Sequence, residues 1–282
     1  MSCQTSIGSL ALVAALCGTF AGALAFDETK YPDWKGQWHR FEIGPDAFDP
    51  SKPPRDQQAP LTPEYQAIFE ANLRDRDAGG WGIDPTYTCL SPGMPRIMNM
   101  YEPMEIVVTP RATHIMTQHI HDARRIYTDG RGLPRDVEPS FGGYSIGRWI
   151  DENGDGRYDV LEVETRALKG PRTYDSTGIP FHEDNETIIT EQIYGDKTDA
   201  DILYDEITST DHALIRPWTV LKKYRRDPNP RPVWRESVCA EKNNRIEIAK
   251  EVYLISADGY LMPSRSNQPP PNLRYFKAIQ QK

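Results

Sequence analysis

Residues 144–168 read YSIGRWIDENGDGRYDVLEVETRAL, and the reading of their middle decides what surrounds them. Asp151, Asn153 and Asp155, with Gly156 at the sixth position and Glu162 at the twelfth, follow the spacing of a calcium loop that normally joins two helices. The flanks do not suit helices. YSIGRWI and VLEVETRAL alternate apolar and polar residues, and Gly147 falls where a helix would lose stability. Tyr158 stands where such loops carry an aliphatic residue, and there is no second copy of the loop for it to pair with. The stretch is therefore expected to be a hairpin. Oxygen geometry does not require helices, however. Asp151, Asn153, Asp155, the Arg157 carbonyl, Asp159 and Glu162 are candidate calcium ligands, because carboxylates packed this tightly repel one another unless a cation or open water intervenes. The competing reading is a solvated turn whose Asn and Gly supply the backbone conformations. An ion here would brace the hairpin rather than catalyse.

Outward from this hairpin, short runs rich in β-branched and aromatic residues recur at 104–109, 113–120, 124–128, 144–150, 160–167, 186–194, 202–210, 218–225 and 233–239. Most connections are too short for crossover helices, and Asp129-Gly130 and Asp258-Gly259 are turn pairs. The expected fold is mainly β, an antiparallel barrel or a two-sheet sandwich. Residues 240–250 (AEKNNRIEIAK) suit helix or strand equally. KGQWHR at 35–40 resembles the Gly-x-Trp first strand of lipocalin-like barrels, although Gly36 and Trp38 are also what any strand packing an indole shows.

Before the β region, Pro45, Pro50, Pro53, Pro54, Pro60 and Pro63 fall within twenty residues, which excludes helix or sheet interior. Thr62-Pro63 is a helix start, with Gly79 beyond the far end, so a helix is expected over about 63–76. Tyr65, Ile68, Phe69 and Leu73 would form its apolar face. The chain divides into a leader (1–25), a Pro-rich segment plus helix (26–80), a β domain (81–262) and an extended tail (263–282) whose Leu273, Tyr275 and Phe276 are expected to dock on the body.

The leader is uncharged, apolar from about Leu10 to Leu24, and ends Ala23-Leu24-Ala25, which reads as a secretory signal although its n-region lacks Lys and Arg. Leu16 before Cys17 argues against lipid attachment. No later stretch is long and apolar enough to cross a bilayer, so the protein is expected to be periplasmic or secreted. Removing the leader leaves Cys89 and Cys239, for which one disulfide is the economical reading in an oxidising compartment and two free buried thiols the alternative. With 33 Lys and Arg against 41 Asp and Glu, the net charge of −8 and the lack of a basic stripe exclude a phosphate backbone as partner. Anionic membrane surfaces are disfavoured likewise.

CLSPGMPRIM (89–98), RRIYTDGR (124–131), YSIGRW (144–149) and IRPWTV (215–220) with Tyr224-Arg225-Arg226 carry a resemblance. They resemble the C-x-x-P-G-x-P-R, S-I-G-R-W and R-P-W-T blocks of a family of exported proteins of proteobacteria and acidobacteria known only as hypothetical proteins. The resemblance covers roughly 80–230 and implies export and one β-rich domain. It implies no activity. Several members carry a much shorter acidic turn at the hairpin, which implies that the long loop is dispensable to the fold.

Two functions compete. The first is an exported barrel that holds a small apolar or aromatic ligand in its mouth. The second is an exported enzyme with acid/base or metal-assisted chemistry around Arg125, Tyr127, His182, Asp211, His212 and Arg216, with Asp175 and Glu191 as further ionisable groups. In ATHIMTQHIHDARR, alternation puts His119 and His121 on one face of a strand and His114 on the other. A third ligand such as His182 would be needed to grip a transition metal there, and a polar surface is the simpler reading. Ser145 lies in a Gly-x-Ser-x-Gly run, but a strand continuing to Trp149 lacks the strand–turn–helix of a nucleophile elbow. Arg216 beside Trp218 suggests structural cation–π packing first and ligand recognition second. Apart from calcium, no cofactor is expected.

Overall fold

A computed structural model describes residues 26–41, 59–119, 123–242, 244–249, 251–265 and 267–272. The leader, Pro45–Pro54 of the Pro-rich run, His121 and the tail residues Leu273, Tyr275 and Phe276 lie outside the described residues.

Nine strands close into a barrel in sequence order: β1 (Gln37–Arg40), β2 (Met104–Val108), β3 (Ala112–Thr117), β4 (Ala123–Tyr127), β5 (Tyr144–Ile150), β6 (Val160–Arg166), β7 (Ile188–Gly195), β8 (Ile202–Thr210) and β9 (Trp218–Arg226), with β9 returning to β1. The barrel alternative is thus the one adopted. The hairpin reading holds: β5 and β6 pair antiparallel from Tyr144↔Arg166 to Ile150↔Val160, with 151–159 as the loop between them.

A ring of purely antiparallel neighbours needs an even number of strands, because direction must alternate all the way round. Nine strands therefore force a parallel contact, and it falls between β4 and β5. A parallel pair needs a long crossover rather than a tight turn. Residues 128–143 provide it, so Asp129-Gly130, with Gly130 at φ +79°, begins that crossover instead of a hairpin. The β4–β5 ladder has only two residue pairs, Ile126↔Ser145 and Tyr127↔Ile146, whereas β7–β8 runs from Ile188↔Thr210 to Gly195↔Leu203.

Closure also explains an expectation that fails. Residues 233–239 form no strand apart from Cys239 starting a four-residue helix, because β9 has already spent its free edge on β1. Val233 and Trp234 are left exposed. The ambiguous 240–250 region is both things in turn. The helix α2 (Cys239–Lys242) leads to β10 (Arg245–Ile248), which joins β11 (Glu251–Ile255) and β12 (Leu261–Pro263) in a separate antiparallel sheet. Asp258-Gly259 turns β11 into β12, with Gly259 at φ +81°. Cys89 is disulfide-bonded to Cys239 across 5.6 Å between Cα atoms, fixing the approach to this sheet, and the Arg245 guanidinium lies 3.7 Å over the Trp81 ring.

Inward positions at period two build the core. Trp38, Ile106, Ile115, Ile126, Leu161, Val163, Ile189, Ile193, Leu203, Ile207 and Tyr224 form one buried cluster, joined at one end by Met94, Ile97 and Met98. The last two belong to a short 3-10 turn (Arg96–Asn99), whose Arg96 is buried against Asp84. These inward side chains are almost inaccessible, so the centre of the barrel is a packed core. Each such residue contributes about 1.5–3 kcal/mol on burial. Trp38 donates from Nε1 to the Trp34 carbonyl (2.9 Å), and Arg226 from β9 covers its ring at 4.4 Å while donating to backbone carbonyls of Lys35 and Asp33, which welds β9 to the lead-in of β1.

The expected helix is α1 (Pro63–Asp77), capped by Thr62. Phe69 is buried with Tyr65 and Leu73 beside it in a second cluster containing Tyr174, Phe181, Leu214, Trp218 and Val220. Ile68 departs from the expected face and is exposed; Asn72 takes a buried place instead, donating to Thr177 O (2.8 Å) and accepting from Ile83 N (3.0 Å). A helix lying on a barrel end meets loop carbonyls and amides, and an amide side chain satisfies them where isoleucine cannot.

Candidate functional site

Between the two apolar clusters the barrel buries charge. Arg124 on β4, Glu191 on β7, Asp205 on β8 and Lys222 on β9 all occupy inward positions and are nearly inaccessible. Arg124 and Glu191 meet through two guanidinium–carboxylate contacts, one of 2.7 Å from Nη1 to Oε1. Arg124 also donates to Thr165 Oγ1 (3.0 Å), and Ser145 and Thr165 hydroxyls lie 2.8 Å apart. Asp205 and Lys222 are direct cross-strand partners. Burial, and next the charge of Glu191, pushes the Asp205 carboxyl well above the ordinary carboxylate range, against the pull of Arg124 and Lys222. Burial, then the charges of Asp205 and Glu191, likewise raises the Tyr224 phenol, whose hydroxyl donates to Met98 O (2.7 Å).

The short β4–β5 ladder opens onto this interior. A cavity of about 390 Å³ lies there, with Met94 and Ile97 on its apolar wall, Arg124 and Ser145 at its inner end, and Tyr127 and Tyr144 at its mouth. Those two rings stack at 5.0 Å, and the Arg131 guanidinium sits 3.9 Å over Tyr127. Asp129 anchors Arg131 through bonds of 2.8 and 2.7 Å, and this pairing holds its carboxyl far below the usual range. The crossover turns at Gly143 (φ +67°), where a side chain would strike the Arg166 carbonyl. A larger groove of about 730 Å³ lies outside the barrel between Tyr31, Trp34 and β2, ringed by Glu28, Asp33, Lys35 and Arg157, and it contains none of the buried charged residues.

The six acid/base candidates do not form one constellation. Arg125 and Tyr127 line the seam cavity. His182, Asp211 and His212 come together elsewhere, beyond the ends of β7 and β8. There, Asp211 Oδ1 accepts from the amides of His182 (2.9 Å) and Ala213 (2.8 Å), while its Oδ2 accepts from Thr187 Oγ1. Arg216 is exposed, donating to Pro217 O at 3.4 Å, while the ring of Trp218 packs at 4.4 Å on Tyr174.

His119 Nδ1 lies 3.1 Å from Glu102 Oε1, and His114 is half-buried opposite Arg125 on β3, with burial lowering its imidazole pKa and Arg125 adding to that. Ser145 faces inward against Thr165 within a strand, as its flanks require. Asp175 is buried, with Oδ1 accepting from Thr177 N (2.9 Å).

In the 151–162 loop the oxygens turn onto the loop's own backbone. Asp151 accepts from Gly154 N (2.7 Å), Asp155 N (3.2 Å) and Gly156 N (2.9 Å), Asn153 from Asp155 N (2.9 Å), Asp155 from Arg157 N (2.8 Å) and Asp159 from Glu152 N (3.1 Å). Glu162 pairs with Arg148 across the strands at 2.6 Å.

Sequence reading does not single out Arg124, Asp205 or Lys222, and it gives Glu191 only as one possible acid/base group among several. A signal was present: Ile189-Glu191-Ile193, Leu203-Asp205-Ile207 and Val220-Lys222-Tyr224 each place a charge on the apolar face of an alternating run. No family model matches the chain, and no curated protein matches its sequence.

Proposed function

We propose that this barrel binds a small apolar or aromatic ligand at the β4–β5 seam and works outside the cytoplasm. The observation that carries the reading is the seam cavity, which joins an aromatic mouth and an apolar wall to a few convergent polar groups at its inner end. That combination is what small-molecule sites present. The stacked Tyr127 and Tyr144 offer aromatic contact and Met94 and Ile97 soft apolar contact, while Arg124 and Ser145, already bonded to Glu191 and Thr165, form the polar floor. Because Glu191 neutralises Arg124, the site favours a neutral or weakly polar guest over a strong anion.

Export rests on the uncharged leader and its Ala23-Leu24-Ala25 end. Membership of the exported family rests on the quoted blocks, and calcium bracing of the hairpin on the 151–162 spacing. Among the described residues no helix is long and apolar enough to cross a membrane.

A fluorescent naphthalene probe should bind saturably and be displaced by small aromatics. Tyr127→Ala with Tyr144→Ala should weaken it about tenfold or more, since ring contacts are worth roughly 0.5–1.5 kcal/mol each beyond burial. Undiminished affinity in the double variant would reject the seam as the site. N-terminal sequencing of periplasmic protein should begin at Phe26; a retained leader would reject cleavage at that point.

A further inference from the structure

His182, Asp184 and His212 bring their ligand atoms within 4.8 Å of one another, the one such group of three His, Cys, Asp or Glu among the described residues. We infer that these three side chains form a binding site for a divalent transition metal of the zinc class, with an open coordination position facing solvent.

The geometry is built by residues that do not themselves ligate. Asp211 fixes the His182 amide and, as its chain neighbour, places His212. The turn carrying His212 is stitched to the lead-in of α1 by Thr62 N to Ala213 O and Ile215 N to Pro60 O, both 2.8 Å. Arg172 holds the other side, donating to His182 O (3.3 Å) and to Thr187 Oγ1, which in turn donates to Asp211. Asn185 at φ +65° reverses the chain just after Asp184. The Glu186 amide binds Asp184 Oδ1 at 3.0 Å, leaving Oδ2 to face both imidazoles. Oδ2 lies 3.1 Å from His182 Nδ1 and is bonded to His212 Nδ1. The two imidazole rings stand edge to face at 87° with centroids 5.7 Å apart, and His182 Nδ1 accepts from the Asp184 amide at 3.1 Å, which leaves Nε2 as the nitrogen of His182 free to ligate.

Tetrahedral zinc with bonds of about 2.0–2.2 Å separates its ligand atoms by roughly 3.4 Å. The ligand atoms already lie within 4.8 Å of one another, on side chains that are 37% (His182), 23% (Asp184) and 69% (His212) exposed and so have room to rotate. Two imidazoles and one carboxylate select a borderline transition metal over calcium or magnesium, which prefer oxygen. One carboxylate leaves a divalent ion with residual positive charge and room for water.

The test uses the full chain after dialysis against chelator. Cobalt(II), a visible-absorbing substitute for zinc, should bind one equivalent with tetrahedral d–d bands and be displaced by zinc. His212→Ala and Asp184→Asn should each weaken binding at least about tenfold, the least that loss of a supporting partner costs a metal site. His114→Ala, a histidine on β3 far along the chain, should bind as the natural protein does. The exposure of His212 makes its variant safe for folding, and equal melting of variant and parent in chelator at pH 8.5 verifies that. Absence of cobalt bands, or equal binding by all three variants, would overturn the site. The seam-ligand reading is unaffected by either result.

Discussion

Two groups of ionisable side chains among the described residues differ in one physical variable. Arg124, Glu191, Asp205 and Lys222 sit inside, with Arg124 and Glu191 side chains 2% and 0% exposed; His182, Asp184 and His212 sit at a rim where the least accessible is 23% exposed. A buried charge without a partner costs several kcal/mol, so the inner groups are committed to one another and to the fold. Water can satisfy the rim groups when they part, so they are free to exchange partners for a ligand. Similar ionisable chemistry is structural in one place and available in the other.

The sharpest way to break this contrast is Arg124→Met. It strands Glu191 beside Asp205, and urea unfolding should show a loss of about 3–5 kcal/mol. Adding Glu191→Leu should recover much of that loss; an unimproved double variant would mean that the two are not coupled. Asp205→Asn sharpens it further. Because folding raises the Asp205 pKa, the folded chain holds a proton that the unfolded chain releases above about 3.9. Stability from this group therefore falls as pH rises from there towards the folded pKa, with a slope up to about 1.4 kcal/mol per pH unit. Melts from pH 4 upward should be flatter for Asp205→Asn, and parallel curves would contradict the buried acid.

The hairpin loop is an intermediate case, exposed carboxylates bonded to their own amides. If millimolar calcium occupies it with an extracellular-module affinity, the gain is on the order of 0.4 to 1.4 kcal/mol. Natural protein should then melt slightly higher in calcium than in chelator, and Asp151→Ala with Asp155→Ala should not; identical melts for the natural protein would leave a plain hairpin. The smallest effect belongs to the rim. The bond to Asp184, then its charge, raises the His212 pKa, so its contribution is present below the unfolded value near 6.5 and is lost as pH rises through the folded one. Desolvation of Asp184 opposes the pairing, but the Glu186 amide and the two histidines still hold its carboxyl below the usual range. His212→Ala in chelator should lower the melting temperature slightly at pH 5.5 and leave it unchanged at pH 8.5. A loss of the same size at both would show a packing role instead.

Much of this contrast was legible before any fold was known. Alternation places Glu191, Asp205 and Lys222 on the apolar faces of β7, β8 and β9, where solvated charges do not belong. Which of them meet was not legible. Arg124 and Glu191 are 67 residues apart, and their contact depends on the curvature of strands that pair with other neighbours. The rim site was half visible: His182 and His212 stood out as candidates, whereas Asp184 looked like one more acid in an acidic turn.

By itself, the sequence determined what is local. Period-two alternation dictated most strands and the 144–168 hairpin, Thr62-Pro63 dictated where α1 begins, and Asp258-Gly259 its turn, because each depends on backbone preferences within a few residues. Only the tertiary structure decided what depends on the ring as a whole. Closure of β9 on β1 removed the edge that 233–239 needed to become a strand, and the odd number of strands required a parallel seam. That seam landed at β4–β5, where its two-pair ladder leaves a mouth onto Arg124. Closure is a global condition on strand number and direction, and no short window of residues contains it.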